Sequence, residues 1–181
     1  MHITLTGNLG SGKTTVCKLL ADRGFEIYST GTILREIAKA RSLTALGVNE
    51  WVNANRNIDF DIDREVVRVA SARPHDKIVF DSRMAWHFVP VSVKVFLAVE
   101  PGEGARRVFA DQTRGAVEQY ASPEEAARQL AARTREERER FLTIYGKDYL
   151  DMSNYDLVID STRQTPEDNV ATIMAAWEGA G

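Results

Sequence analysis

The stretch Gly7-Asn8-Leu9-Gly10-Ser11-Gly12-Lys13-Thr14 decides the fold. Gly7 and Gly12 bracket four residues and Lys-Thr follows, which is the spacing of a phosphate-binding P-loop. The apolar alternation His2-Ile3-Thr4-Leu5-Thr6 precedes it and a helical pattern follows, so the motif sits between a strand and a helix, as its chemistry requires. Backbone N–H groups must wrap a phosphate chain closely, and side chains at Gly7, Gly10 and Gly12 would block that approach. The N-terminus of the following helix adds its dipole. Lys13 is placed to neutralise the β- and γ-phosphates of a nucleoside triphosphate, and the Thr14 hydroxyl to ligate Mg²⁺.

Working outward, strand and helix patterns alternate. Helix residues 13–23 end at Arg23-Gly24, and Phe25-Glu26-Ile27-Tyr28 reads as a second strand. Ser29-Thr30-Gly31-Thr32 reads as a turn before a helix carrying Arg35, and residues 42–57 as one or two short helices. Residues 30–75 look like a small inserted subdomain. The triplet Asp59, Asp61, Asp63 suggests a calcium loop, but the sixth position is Arg64 where glycine is needed and the twelfth is Ala70 where glutamate is needed. The acids fit better as the start of a helix running to residue 73.

Lys77-Ile78-Val79-Phe80-Asp81 is an apolar run ending in an acid, the form of a parallel strand buried on both faces. Ligands gather at the carboxyl ends of such strands, which puts Asp81, Ser82 and Arg83 beside the P-loop. Asp81 is a candidate Mg²⁺ ligand; a cap or turn acid is its other reading. Residues 91–99 form another strand ended by Glu100-Pro101-Gly102, with a helix over 103–112. Ser122-Pro123-Glu124-Glu125 opens a long helix to residue 145. On it Arg133, Glu137 and Arg140 stand at i, i+4 and i+7 and share one face. The last strand covers residues 155–160 and a closing helix 167–177. The pattern predicts a three-layer α/β/α P-loop fold around a mainly parallel five-stranded sheet.

Composition narrows the function. The 181 residues carry a formal net charge of −3, so nothing pulls the whole chain toward nucleic acid or membrane. An anionic ligand must be held by local arginines, and eight fall between residues 106 and 140. The single Cys17 excludes an internal disulfide and reads as a buried structural thiol. His2, His75 and His87 stand apart, and Trp51, Trp86 and Trp177 read as packing residues. The chain is expected to be cytoplasmic, a monomer or a dimer, acting on small molecules without nucleic-acid or membrane partners. An Asn-Lys-x-Asp segment for guanine is absent from the sequence, which argues against a GTPase switch. Phosphoryl transfer to a small acceptor needs cations that align an anion and absorb spreading charge, a task Arg35, Arg83, Arg133 and Arg140 suit. A P-loop protein that binds ATP as a regulatory module with little turnover is the other class of reading.

These segments resemble the nucleoside monophosphate kinases, and most of all the short cytidylate kinases of archaeal type. Ser29-Thr30-Gly31 with Arg35-Glu36, Ile62-Asp63-Arg64-Glu65, Asp81-Ser82-Arg83-Met84-Ala85-Trp86, Arg133 to Arg140, Ile144-Tyr145-Gly146 and Tyr155 to Thr162 follow in the family's order. The resemblance implies ATP and Mg²⁺ as cofactors, with ATP on Gly7, Asn8, Gly10, Ser11, Gly12, Lys13, Thr14 and Thr15. It implies that Ser29, Gly31, Arg35, Asp63 and Arg83 line the monophosphate pocket, and that Arg133, Glu137 and Arg140 close on the acceptor, Glu137 being tied to nucleotide recognition. Lys13, Arg83, Arg133 and Arg140 would carry the transfer, with a helical lid at about residues 107–128 excluding water. The chain departs from the family pattern at Ser82, where glycine is usual, at Gly104, where the lid helix often has an arginine, and at Gln112-Thr113-Arg114. The acceptor left open is CMP, dCMP, another monophosphate, or a compound such as shikimate or dephospho-CoA.

Overall fold

A computed structural model describes residues 1–43, 45–55, 57–111 and 120–180; the side chains of residues 35–38, 45, 46, 48, 49, 53 and 57 fall outside that description. Five strands, β1 (His2–Gly7), β2 (Glu26–Ser29), β3 (Ile78–Asp81), β4 (Ser92–Ala98) and β5 (Leu157–Asp160), form one parallel sheet in the order β2-β3-β1-β4-β5. Among the described residues eight α-helices connect and cover them: α1 (Lys13–Ala21), α2 (Thr30–Ala40), α3 (Ala45–Ala54), α4 (Asn57–Ala72), α5 (Ala85–Phe88), α6 (Pro101–Ala110), α7 (Pro123–Tyr145) and α8 (Pro166–Gly179).

Side-chain alternation along the strands builds two cores. Ile3 and Leu5 of β1, Val79 of β3 and Val93, Val95 and Leu97 of β4 meet Val16, Cys17 and Leu20 of α1 and Val170 and Ile173 of α8. On the other face Ile78 and Phe80 pack with Val66 and Val69 of α4 and Ala85 of α5, and Phe96 with Phe141 of α7, Tyr149 and Tyr155. Strands buried on both sides are what a parallel sheet requires, and the three layers are those the sequence predicts. Cys17 lies in the first core, where burial pushes its thiol pKa up, as suits a packing residue.

Sheet register brings the functional strand ends together. Leu5 aligns with Asp81, Ser29 with Asp81, and Gly7 with Leu97, so β1, β2, β3 and β4 all finish at one edge. Helix ends differ from the expectation in two places. Residues 30–32 are the first turn of α2 and not a separate turn. Helix α6 begins at Pro101 because the Glu100 side chain accepts from the backbone N–H of Glu103, turning an expected strand terminator into a helix cap. Helix α7 opens as predicted, with Ser122 capping Glu125, and ends at Gly146 at φ 62°. The expected lid includes residues 112–119, which lie outside the described residues, as does the Gln112-Thr113-Arg114 segment. Among the described residues no helix is long and apolar enough to cross a membrane.

Candidate active site

The strand ends open on a cavity of about 280 Å³ whose floor is the P-loop. Gly12, at φ 87°, caps α1 and lines the cavity, with nothing within 4 Å of where a Cβ would stand, so the loop can approach a phosphate closely there. Gly10, Ser11, Gly12, Lys13, Thr14 and Thr15 all line it.

Two members of the expected cradle do other work. A Cβ on Gly7 would sit 2.3 Å from the Leu97 carbonyl oxygen, so this glycine lets β1 end hard against β4. The Asn8 side chain accepts from the Val99 backbone N–H at 3.1 Å, and the Asn8 backbone N–H donates to the Leu97 carbonyl. Neither residue lines the cavity; they fix the loop to the sheet. Gly10 is needed for packing as well, since a Cβ there would lie 2.3 Å from the Gly104 carbonyl oxygen. Gly104 therefore has a reason of its own: the α6 backbone rests on the P-loop where a longer residue would push it away.

Lys13 donates to the carbonyls of Gly7 at 3.2 Å and Asn8 at 3.4 Å. Burial, reinforced by the neighbouring Arg83, pulls its pKa down to about 7. A cation that is hard to keep charged among backbone dipoles suits an anion arriving at the loop, which fits a phosphate chain. Asp81 lines the cavity and its Oδ2 accepts from the Ser29 hydroxyl at 2.8 Å. Ser29 thus stands behind Asp81 and does not itself line the cavity, while Gly31 does. The side chain of Arg35 lies outside the described residues. No group of three or more His, Cys, Asp or Glu side chains gathers as a metal site among the described residues. A divalent cation here would lean on the Thr14 hydroxyl, Asp81 and the phosphates, a sparse protein donor set that suits Mg²⁺.

Opposite the P-loop, α7 delivers the predicted face. Arg133 Nε donates to Glu137 Oε1 at 2.9 Å, and Arg83 Nε donates to Glu137 Oε2 at 2.8 Å. Arg83 also donates to the Gly7 carbonyl at 2.6 Å, which links the triad to the P-loop. Trp86 Nε1 donates to the Arg83 carbonyl at 3.0 Å and fixes that turn. Burial alone would raise the Glu137 pKa, but Arg83 and Arg133 overcome it and hold it at about 2. Glu137, expected to meet the nucleotide, has each carboxylate oxygen on an arginine, so it orders the cations. Ser82, in the place of the usual glycine, is buried, with its hydroxyl accepting from the Met84 N–H at 3.4 Å.

Two cavity residues, Asp59 and Arg107, escaped the sequence reading, while Asp63 lines the cavity where the family resemblance puts it. Asp59 is not simply a helix-start acid: its Oδ2 lies 3.1 Å from Arg140 Nε, and both side chains are 7% exposed. Asp63 accepts a short hydrogen bond from the Tyr145 hydroxyl, and burial raises its pKa to about 6. Asp61 between them is 72% exposed. The i, i+4 spacing of Asp59 and Asp63 is the signal that separates the pair from their neighbour. Arg107, on the cavity wall, donates to the carbonyls of Ser161 and Thr162 beyond β5 and so ties α6 to that loop. No local pattern in the sequence points to this.

Known proteins are similar to this one over most of the chain. The model of the cytidylate kinase-like family matches residues 2–163. A cytidylate kinase of Pyrococcus abyssi (strain GE5 / Orsay) is 34% identical over 176 residues, which is 96% of this chain and 92% of that protein. One of Sulfolobus acidocaldarius is 33% identical over 177 residues, again 96% and 92%. Among solved structures, shikimate kinase from Bacteroides thetaiotaomicron superposes with a TM-score of 0.60 over 98% of both chains at 17% identity, a likeness of fold.

Proposed function

The chain belongs to the cytidylate kinase-like family and is a nucleoside monophosphate kinase, and we propose that it moves the terminal phosphoryl group of Mg·ATP to CMP or dCMP. The products are ADP and the nucleoside diphosphate. One observation carries this reading: the P-loop lysine and the Arg83–Glu137–Arg133 triad open on a single cavity, a donor site facing an acceptor clamp.

Lys13 and the N–H groups of the loop hold the β- and γ-phosphates. Arg83, Arg133 and Arg140 draw the acceptor phosphate into line, with Glu137 keeping two of them splayed at fixed positions. Thr14 and Asp81 would hold Mg²⁺, which would supply charge neutralisation to the phosphates. An acceptor phosphate oxygen forms the new bond to the γ-phosphorus as the bond to the β,γ-bridging oxygen breaks, and ADP leaves with that electron pair. The acceptor oxygen is already an anion, so no general base and no covalent enzyme intermediate are needed. Residues 107–128 act as the lid that keeps water from the γ-phosphate, and residues 30–75 carry the acceptor side of the cavity.

The experiment is ADP production by the purified protein with Mg·ATP and CMP, dCMP, UMP, AMP or GMP, against ATP alone. Stimulation by CMP or dCMP above the others is expected. No stimulation by any of the five would overturn the nucleotide acceptor and favour another small phosphate acceptor or an ATP-binding module.

A further inference from the structure

We propose that Asp59 and Asp63 read the acceptor's base, accepting from the exocyclic amino group that distinguishes cytosine from uracil; this rests on the nucleotide-acceptor reading above. Glu137 is spent on Arg83 and Arg133, so an acid that meets the base must come from elsewhere in the cavity. Helix α4 supplies two, one turn apart, each more than nine-tenths buried, and both lining the cavity. Burying two carboxyl groups side by side is costly, whereas Asp61 between them stays exposed.

The partners present leave room for a ligand. Tyr145 donates to Asp63 Oδ2, and Asp63 Oδ1 has no protein partner among the described residues. Arg140 pairs with Asp59 through Oδ2. The same cavity is lined by the apolar side chains of Leu34, Ile62, Met84 and Phe141, which suit the faces of a flat ring. A nucleotide whose phosphate lies on the arginines would therefore find apolar walls and a carboxyl edge in the same cavity.

Cytosine offers an amino donor beside a ring-nitrogen acceptor. Uracil puts a carbonyl oxygen where the amino group was, and that oxygen would face a carboxylate with no hydrogen between them. Asp63 is faced by Asp59 on its own helix and by Tyr145 and Arg140 on α7.

The test measures kcat/KM for CMP, UMP and dCMP in the wild type, Asp63→Ala and Asp63→Asn. Asp63→Ala is expected to lower the CMP-to-UMP ratio about tenfold or more, by loss on CMP. Asp63→Asn keeps the shape but adds an amide N–H donor, and it is expected to shift preference toward UMP, which a purely structural role would not do. Equal losses on CMP and UMP in both variants, or a changed CMP-to-dCMP ratio with the CMP-to-UMP ratio intact, would overturn the proposal, the latter by assigning the acids to the ribose. Failure of the nucleotide-acceptor reading is seen separately, as a wild type that CMP does not stimulate.

Discussion

Arg83 and Glu137, from the turn after β3 and the middle of α7, meet at 2.8 Å with side chains only 16% and 5% exposed. The pair ties the acceptor helix to the turn beside the P-loop, because the same guanidinium donates to the Gly7 carbonyl. Removing the acid leaves two cations crowded in a half-closed cavity. Glu137→Ala should destabilise the fold by about 3–5 kcal/mol, the cost of stranding a buried charge. Glu137→Gln should fold better yet lose kcat by about tenfold or more while its KM for ATP changes little, since its effect falls on acceptor alignment. Thermal unfolding and steady-state kinetics with CMP check both.

Lys13 makes a second case in which function and stability oppose each other. Its pKa falls to about 7 in the fold from an ordinary 10.5, so in the unliganded protein folding disfavours the ammonium. Between those values the unfolded chain binds a proton that the folded chain does not, and stability rises with pH across that window. Lys13→Met should abolish transfer and yet raise the melting temperature of the unliganded protein at pH 7, by about 2–4 °C for each kcal/mol relieved. The gain should shrink as pH rises from 7 toward 10. A variant that melts lower than wild type at pH 7 would show that the two backbone hydrogen bonds of Lys13 outweigh its burial.

Gly104 connects α6 to the nucleotide loop. A Cβ there would stand 2.8 Å from the Leu9 carbonyl oxygen and 3.1 Å from Val99 Cγ1, and the first of these is backbone that must itself move. Gly104→Ala should cost about 1–3 kcal/mol of stability by overpacking. It should also raise the KM for ATP more than that for CMP, because the P-loop is what shifts. Melting curves with and without ATP, and KM values for both substrates, test the split.

What was legible in the sequence was what local spacing encodes. The P-loop, the strand ending at Asp81 and the Arg133, Glu137, Arg140 face each follow from residue type and period alone. Partnerships across the chain were not legible. Asn8 reads as a phosphate ligand until its side chain is seen holding the Val99 N–H, 91 residues away. Gly7 reads as open loop backbone until Leu97 is found against it. Asp59 was hidden for a different reason: an acid in the first turn of a helix already has a sufficient local explanation, and only its burial against Arg140 calls for another. Glu137 was placed on the right face, but the occupancy of its two oxygens depends on Arg83, which comes from another element.

Asp63 gives a pH signature that separates its burial from its role with substrate. Its pKa rises from 3.8 to about 6 in the fold, chiefly through burial, with Asp59 adding to the rise and Tyr145 and Arg140 opposing it. The folded protein therefore holds a proton that the unfolded chain has released between pH 3.8 and about 6. The stability this contributes is full below the lower value and is lost as pH climbs through the upper one. Above it the fold carries a buried carboxylate whose relief by Asp63→Asn should be worth about 1–3 kcal/mol. The variant should melt close to wild type near pH 4 and above it at pH 7, with the difference opening across the window between. A difference that stays constant with pH would mean that Asp63 titrates as a surface acid and that Tyr145 offsets its burial.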